Sequence, residues 1–510
     1  MGHGPLFSSA ADAVAGVADG ATVAITGSGG GVLEPDSLLA ALESRFLGTG
    51  APRGLTLVHA LGLGDRDRRG TNAFAHEGMV RRVIGGHWTW SPRMMELAAT
   101  DRIEAYALPA GAISLLLREI GARRPGLVTR TGLHTFADPR NGGGRANRAA
   151  REDLVELLEL DGAEHLRYRP FPVDVALVRG SEADPSGNIG CADEAAVLDS
   201  LAVAQAAKAS GGRVLAQVKR VTDGPLDPRA VTIPAALVDA VVVCPEQWQT
   251  YAGEDDPALS GASADGTVHV DLDDPVRAAV ARRAAMEVPQ GAVLNVGFGM
   301  SAHVIDVLAA EGRLAGSTIA IEQGLFDGVP VSGDLFGISR GASARVPSTT
   351  QFDLFGMGML DVCCLGLAQA DASGSVNVSQ FGGRTIGPGG FVDISQNARK
   401  AVFCGTFTAK GLEVDVRDGG VRIVSEGRVH KFVDAVEQIT YSGPFAAQEG
   451  REALFVTERA VFELTPGGVA LTEVAPGVDV ERDILPHMGF RPLIKDVRPM
   501  PAEVFRKGRA

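Results

Sequence analysis

The sequence predicts an α/β protein made of two similar open domains, each with a mainly parallel sheet. One observation is a series of short valine-rich runs, Val173–Val178, Arg213–Val218 and Ala240–Cys244, which resemble buried parallel strands. A second is that such runs alternate with segments of helical spacing, the pattern typical of α/β folds. The third is length, because 510 residues are too many for one ordinary hydrophobic core.

The first elements follow a strand–glycine–helix order. Ala21–Gly27 predicts a strand that ends in glycine, Ser37–Phe46 has helical spacing, and Leu55–Ala60 predicts the next strand. The order returns in the second half of the chain. There Asp274–Met286 predicts a helix with Asp at its cap and Pro just inside, and Gly291–Gly297 predicts a strand that enters a glycine turn.

A second repeat indicates an internal duplication. In each half an Asp-Val pair is followed, nine residues after the Asp, by an Ala-Asp-x-Ser-Gly turn. The two copies are Asp174-Val175 with Ala183–Gly187 and Asp361-Val362 with Ala370–Gly374. Chance similarity of two turns is the alternative, but the repeated glycine turns favour duplication.

Composition along the chain predicts the domain boundaries. Ala252–Asp265 is rich in Ala, Gly, Ser, Asp and Pro and is the best candidate for an interdomain linker. We therefore predict domains over residues 1–253 and 274–510, joined by a linker over residues 254–273. In the second domain Asp415–Val424 predicts a hairpin with Gly-Gly at its turn, and Ala453–Leu464 and Val469–Val474 predict strands of antiparallel β-structure.

Charge and cysteine content narrow the classes of function. The net charge of -14 argues against a nucleic-acid partner. The five cysteines form no CxxC pair, which predicts neither a disulfide framework nor a metal site and favours a cytoplasmic location. The N-terminus lacks a signal-peptide pattern, and no run of about 18 apolar residues occurs, so we predict no membrane partner.

Three glycine-rich turns and one carboxylate are the candidates for chemistry. The turns Gly27–Gly31, Gly297–Ser301 and Gly387–Phe391 are neither a dinucleotide fingerprint nor a P-loop. Ser317–Ile321 predicts a strand that ends at Glu322 and is followed by a Gln-Gly turn. A carboxylate at that edge of a parallel sheet lies where α/β proteins bind ligands, although a surface turn residue is the alternative.

Eight segments resemble the family I coenzyme A transferases, within them the propionate or acetate CoA-transferase branch. The resemblance covers nearly the whole chain, in the family's order. The segments are His134–Arg140, Phe171–Gly190, Asn295–Gly299, Ile319–Pro330, Leu365–Ser379, Gly387–Ala398, Val436–Gly443 and Thr457–Glu463.

The resemblance implies covalent catalysis by Glu322. This residue matches the family's nucleophilic glutamate, which forms an acyl anhydride and then a glutamyl-CoA thioester in a ping-pong exchange. A carboxylate with an ordinary pKa of about 4.3 is ionised at pH 7, so no general base is expected. The resemblance also implies that Gly389 and Gly390 supply backbone donors to the tetrahedral oxyanion. Neither a metal nor ATP is expected, because the exchange conserves the thioester's energy.

The resemblance also implies the coenzyme site and the assembly. CoA is expected to act both as the acyl-CoA substrate and in the covalent intermediate, and relatives suggest a homodimer or homotetramer. The residues implied to contact CoA are Asn295, Val296, Gly297, Phe298, Gly299, Met300, Asn377 and Phe391.

Two departures from the family pattern bear on the substrate. Ala110 stands where relatives usually have a glutamine, and Asp327 stands where they usually have a glycine. If both residues line the acyl pocket, acids larger than acetate or propionate are favoured. Two other functions remain as alternatives: an acyl-CoA hydrolase that uses the same glutamate, and a non-catalytic ligand-binding protein of the same fold.

Overall fold

The protein is described by a computed structural model over residues 6–264, 270–417 and 419–506. It consists of two α/β halves, as the sequence predicts. Residues 265–269 of the predicted linker, and Asp418 at the turn of the predicted hairpin, lie outside the described residues. Within the described part, no helix is both long enough and apolar enough to span a bilayer.

The first half carries a parallel sheet and several small β-units. Its strands are β1 (Leu6–Phe7), β2 (Thr22–Ile25), β3 (Leu55–His59), β4 (Val80–Gly85), β5 (Glu104–Ala107), β6 (Leu127–Thr129), β7 (Val155–Leu160), β8 (Ala163–Tyr168), β9 (Val175–Arg179), β10 (Glu182–Ala183), β11 (Ile189–Gly190), β12 (Arg213–Val218), β13 (Arg220–Val221), β14 (Val231–Ile233) and β15 (Ala240–Val243). Its helices are α1 (Ala10–Val14), α2 (Asp36–Thr49), α3 (Pro92–Ala99), α4 (Ala110–Gly121) and α5 (Ser200–Ala209).

The second half has a larger, mixed sheet. Its strands are β16 (Val293–Val296), β17 (Thr318–Ile321), β18 (Leu325–Phe326), β19 (Val329–Pro330), β20 (Ser339–Arg340), β21 (Ala344–Arg345), β22 (Val362–Gly366), β23 (Gln369–Ala370), β24 (Val376–Asn377), β25 (Gln380–Phe381), β26 (Arg384–Thr385), β27 (Lys400–Cys404), β28 (Thr408–Ala409), β29 (Glu413–Arg417), β30 (Gly420–Ser425), β31 (Val429–His430), β32 (Glu452–Val456), β33 (Ala460–Thr465), β34 (Gly468–Val474) and β35 (Leu493–Pro499). Its helices are α6 (Pro275–Ala285), α7 (His303–Ala310), α8 (Ser348–Gly356), α9 (Phe391–Asn397) and α10 (Gly443–Gln448).

The order of the strands confirms the duplication. The first sheet runs β1-β15-β12-β9-β2-β3-β4-β5, and the second runs β21-β18-β17-β16-β22-β27-β32-β33-β34-β35. The five central strands of each, β15-β12-β9-β2-β3 and β32-β27-β22-β16-β17, are parallel and have the same order. The halves differ outside this core, where the second sheet continues in antiparallel strands on both sides.

The repeated aspartates have the same structural role in both halves. Asp174 Oδ2 accepts the N–H of Thr22 (2.8 Å) at the start of β2, and Asp361 Oδ2 accepts the N–H of Val293 (2.9 Å) at the start of β16. Each carboxylate therefore fixes the register of two neighbouring central strands. This shared contact explains why the Asp-Val pair recurs.

The predicted local elements are largely confirmed. Helix α6 begins at Pro275, with Asp274 accepting N–H groups of its first turn, as the cap pattern predicts. The predicted hairpin is formed by β29 and β30, which pair antiparallel. Of the predicted C-terminal strands, β33 and β34 are antiparallel, but β32 is the last parallel strand of the central core.

The two halves share a packed interface. Helix α4 of the first half packs against α8 and α9 of the second. Ala110, Leu33 and Ala195 of the first half lie in the same buried hydrophobic cluster as the core of the second. The interface therefore positions the turn before α9 against the ends of the first sheet.

Candidate active site

A cavity of about 250 Å³ lies beyond the C-terminal ends of β16, β17 and β22, next to the interface. This is the edge at which parallel sheets bind ligands. Its wall is mostly apolar, with Ile319, Ile321, Phe336, Leu365 and Ile394 among its side chains, and its polar side chains are His87, Asn295, Glu322 and Gln323. Of the described residues that line it, His87 alone comes from the first half.

Glu322 follows β17 directly and lines this cavity. The side-chain amide of Gln323 donates to its Oε1 (3.3 Å). Burial raises the pKa of Glu322 to about 7, although the Gly390 N–H and the Gln323 amide act to lower it. The expectation of an ordinary carboxylate pKa is therefore wrong, because the apolar wall disfavours the charged form.

Gly390 lies directly against this carboxylate. A Cβ atom at residue 390 would lie 1.8 Å from Glu322 Oε2, so only glycine leaves room for the observed position of the carboxylate. Gly390 also caps helix α9, whose first residue, Phe391, lines the cavity. The structure therefore brings Glu322 and this turn together at one cavity.

Backbone hydrogen bonds from the first half hold the same turn. The N–H of Gly389 donates to the Gly86 carbonyl oxygen (2.8 Å), and the N–H of Ala110 donates to the Gly389 carbonyl oxygen (2.9 Å). The N–H of Trp88 donates to the carbonyl oxygen of Ile386 (2.9 Å). Because its N–H is already used, Gly389 does not fit the predicted role of oxyanion donor in this structure.

The predicted coenzyme loop lies partly on the cavity. Asn295, Val296, Gly297 and Phe298 line it, whereas Gly299 and Met300 begin the turn that leads to α7 and do not. Asn295 is buried, and its Nδ2 donates to the Ala320 carbonyl oxygen (2.8 Å). Its Oδ1 is buried without a hydrogen-bond partner, which marks an acceptor available to a ligand.

Asn377 does not have the predicted contact with the ligand site. Its Nδ2 donates to Gln369 Oε1 and to the Gln380 carbonyl oxygen (both 2.7 Å), while its Oδ1 accepts the N–H of Ser379 (3.0 Å). The side chain is fully buried and is not among the cavity-lining residues. Its hydrogen bonds stabilise the turn after β24 instead.

The two predicted substrate residues also lie outside the cavity wall. Ala110 is fully buried and packs into the interface cluster. Asp327 turns away, with Oδ1 accepting the N–H of Ile319 (3.1 Å) and Oδ2 accepting the hydroxyl of Ser343 (2.6 Å). The inference that these two residues enlarge or charge the acyl pocket is therefore not supported by their positions.

Sequence reasoning missed His87, Gln323 and Phe336. His87 comes from the first half, and the available signal was a Gly-Gly-His sequence that begins at the last residue of β4. Phe336 lies between β19 and β20 and packs edge-on against Phe298 (ring centroids 5.2 Å apart), which narrows the cavity. Over the described ranges, His, Cys, Asp and Glu side chains form no group of three or more suited to a metal ion.

Comparison with known sequences identifies relatives over almost the full length. A profile described as coenzyme A transferase matches residues 7–244. The chain is 41% identical to acetate CoA-transferase YdiF of Escherichia coli K12 over 489 residues, which cover 95% of this chain and 92% of that protein. It is also 41% identical to caffeate CoA-transferase of Acetobacterium woodii over 510 residues, which cover 98% and 97%.

Solved structures show the same architecture. The acyl-CoA transferase YdiF apoenzyme of Escherichia coli O157:H7 superposes with a TM-score of 0.94 at 38% identity, covering 100% of this chain and 98% of that one. A thioester complex of the same transferase with CoA superposes with a TM-score of 0.93, covering 99% and 97%.

Proposed function

The chain belongs to the coenzyme A transferase family, and we propose that it transfers CoA from an acyl-CoA to a carboxylic acid through Glu322. The observation that carries this proposal is a half-buried glutamate at the end of a central parallel strand, in a mostly apolar cavity and in contact with Gly390. Such a group is a nucleophile placed where a thioester can reach it.

The reaction proceeds in two symmetrical halves. A carboxylate oxygen of Glu322 attacks the thioester carbonyl carbon, the C–S bond breaks, and its electron pair leaves on sulfur as CoA thiolate. The thiolate then attacks the glutamyl carbonyl carbon of the anhydride, which releases the first acid as a carboxylate and leaves a glutamyl-CoA thioester. A second carboxylate reverses both steps and leaves as acyl-CoA.

The surroundings of Glu322 favour transfer over hydrolysis. The mostly apolar wall offers water few polar partners, and burial of the carboxylate raises its pKa and so its basicity as a nucleophile. An anhydride held there meets CoA thiolate or a second carboxylate in preference to water. The rival hydrolase function would require CoA release without an acceptor acid.

The polar atoms at the cavity suit the CoA arm and a monocarboxylic acid. Asn295 Oδ1, buried without a partner, is an acceptor for an amide N–H of the pantetheine arm. Within the described chain the wall includes neither Lys nor Arg, so a second carboxylate on the acid would be buried without a counter-ion. We therefore expect acids with one carboxylate and an apolar body.

The proposal also includes assembly as a homodimer or homotetramer in the cytoplasm, as the resemblance implies. One relative is named for acetate and another for caffeate, a much larger acid. Membership of the family therefore does not determine the size of the acid. An assay that pairs several acyl-CoAs with short, branched and aromatic acids would rank them.

The test of the proposal is intact-protein mass measurement after incubation with acyl-CoA. The wild-type protein should gain the mass of CoA less one water, and Glu322→Gln should gain nothing. Glu413→Gln, at an exposed position on β29, is the matched control and should behave as wild type. Retention of more than about 1% of transferase activity by Glu322→Gln would contradict covalent catalysis by this residue.

A further inference from the structure

The cavity needs donors for the carbonyl oxygen of the acyl group, and its glycine turn offers one, the N–H of Gly390 beside Glu322. The Gly389 N–H already donates to the Gly86 carbonyl oxygen. An oxyanion that forms in an apolar site is stabilised by each donor directed at it. A second donor must therefore come from another group that lines the cavity.

The polar side chains of the wall differ in whether their donors are already used. The Asn295 amide donates to the Ala320 carbonyl oxygen at 2.8 Å, and the Gln323 amide donates to Glu322 at 3.3 Å. The ring nitrogens of His87 have contacts of 3.3 and 3.5 Å with the hydroxyl of Thr89, two residues away, so redirecting a ring N–H breaks no bond to a strand or to the nucleophile. Among the side chains that line the cavity in the described chain, His87 is thus the donor most readily redirected to a ligand.

We propose that His87 is a catalytic residue whose imidazole N–H binds the acyl carbonyl oxygen while Glu322 attacks the carbonyl carbon. This inference rests on the proposed transferase function. It assigns to the first half a chemical contribution to a site that otherwise consists of residues from the second half.

The backbone on either side of His87 fixes the ring over the glycine turn. The Gly86 carbonyl oxygen accepts the Gly389 N–H, and the Trp88 N–H donates to Ile386, so the residues before and after His87 are both bonded to the turn. A Cβ on Gly389 would lie 3.8 Å from His87 Cδ2, so the ring lies beside the turn at about the distance that one methyl group would fill. The next residue of that turn, Gly390, touches the nucleophile.

The His87 ring is neutral, so it can donate a hydrogen bond without forming an ion pair with the Glu322 carboxylate. Burial, together with the nearby His59 and Arg66, lowers the pKa of His87 to about 4. A neutral imidazole keeps one N–H to donate. An imidazolium would instead pair with the Glu322 carboxylate and reduce its nucleophilicity.

The step involves no proton transfer. The glutamate oxygen forms a bond to the carbonyl carbon, the C=O electron pair moves onto oxygen, and the His87 N–H···O hydrogen bond shortens as charge develops there. Collapse restores the C=O bond and expels sulfur with the C–S electron pair. His87 retains its proton throughout.

The kinetic test compares His87→Ala, His87→Gln and His87→Asn with wild type. His87→Ala should lower kcat by roughly 10²–10³-fold, the usual effect of losing one oxyanion donor, with a smaller change in KM. At least one of the two amide variants should recover part of that loss, because each retains an N–H donor. His165→Ala, on β8 and outside the cavity, is the control and should have wild-type kcat.

A spectroscopic test separates binding of the carbonyl from a purely structural role. In the Glu322→Gln protein, which holds acyl-CoA without reacting, the ¹³C-labelled thioester carbonyl should absorb at lower infrared frequency than in water, and adding His87→Ala should remove that shift. An unchanged band in the double variant, or a kcat for His87→Ala within about threefold of wild type, would overturn the role of His87. These outcomes leave the glutamyl-CoA adduct intact, whereas failure of the transferase function itself would remove the adduct from the wild-type protein.

Discussion

The two halves of the molecule build the same five-strand core but end it with different chemistry. Thr56 of β3 pairs with the first residue of β2, and Thr318 of β17 pairs with the first residue of β16, so the two threonines are equivalent. Four residues further along, Ala60 in the first half corresponds to Glu322 in the second. Counted from the repeated aspartates, Arg179 corresponds to Gly366. At equivalent strand ends, the first half therefore has the methyl group of Ala60 and the guanidinium of Arg179. The second half has the carboxylate of Glu322 and, at Gly366, no side chain.

The first half fills its crevice with a buried ion pair. Arg179 Nη2 lies 3.1 Å from Glu194 Oε2, and both side chains are nearly inaccessible to solvent. Arg179 also donates to the carbonyl oxygens of Gly31 (3.3 Å) and Glu34 (3.2 Å). Gly366, by contrast, lines the cavity beside Glu322. The duplicated core therefore determines where a crevice forms, and single side chains at the strand ends determine whether that crevice is filled or can bind a reactive ligand.

The largest expected effect comes from placing the first half's residue in the second half. Gly366→Arg would project a guanidinium into the cavity and pair with Glu322, so we expect loss of both CoA-adduct formation and turnover to below detection. Mass measurement and a turnover assay check this. Gly48→Arg, on α2 where an added side chain meets open space, is the matched control. Normal turnover of Gly366→Arg would contradict the proposed equivalence of Gly366 and Arg179.

Removing the buried guanidinium of the first half should mainly affect stability. Arg179→Met leaves Glu194 buried without its partner, which typically costs about 3–5 kcal/mol. Urea denaturation should detect the loss, and the double variant Arg179→Met/Glu194→Leu should recover part of it. Turnover per folded molecule should stay near wild type, because this crevice takes no part in the reaction. A large drop in turnover at unchanged stability would contradict the assignment of a filling role.

A methyl group at the glycine turn should displace the nucleophile. Gly390→Ala would place Cβ 1.8 Å from Glu322 Oε2, and a misplacement of about 1 Å can lower the rate by about 10²-fold. Gly389→Ala would place its Cβ in ordinary van der Waals contact with His87 Cδ2 (3.8 Å) but has a φ of 54°, so it should lose about 1 kcal/mol of stability and less activity. Steady-state kinetics of the pair should separate the two glycines, and equal losses of activity would show that contact with the carboxylate is not decisive.

The smallest expected effect concerns pH. Only ionised Glu322 attacks, and its pKa is raised to about 7 by burial, so kcat/KM should rise tenfold per unit below that pH and level off above it. The free energy of unfolding depends on pH with the opposite sign. The native state binds the Glu322 proton more tightly than the unfolded chain does, so this proton stabilises the fold at low pH, and the contribution is lost as pH rises through about 7. Glu322→Gln should remove this dependence of unfolding free energy. A kcat/KM profile that is already flat at pH 5 would contradict the buried environment.

The sequence predicted the duplicated fold, and it offered Glu322 and the Gly387–Phe391 turn as candidates that the structure brings to one cavity, because these features depend on local patterns. A short apolar strand and the carboxylate at its end are adjacent in the chain, so Glu322 could be proposed from the sequence. Their motifs also carry the resemblance to the family. What these motifs did not specify was the pKa of Glu322, which depends on apolar side chains distant in sequence.

The predicted site residues that do not line the cavity are ones whose role depends on the direction in which the side chain points. Asn377 and Asp327 lie in family motifs, yet their polar atoms bond to neighbouring turns and strands. Ala110 lies close to the glycine turn, but its side chain faces the interface core. His87 was missed for a related reason: it is more than 200 residues from Glu322, and only the docking of the two halves brings it to the cavity.

Three main-chain hydrogen bonds, from Gly86, Trp88 and Ala110, join the first half to the glycine turn. At residues 88 and 110 the bonding group is an N–H, which nearly every amino acid supplies alike, so these two bonds are insensitive to the identity of the side chain. Residue 86 is different, because any Cβ there would lie 1.9 Å from the Ala60 carbonyl oxygen, and this position is therefore fixed as glycine. At residues 88 and 110 proline is the exception, since it lacks the N–H: Trp88→Pro or Ala110→Pro would each remove one of these bonds.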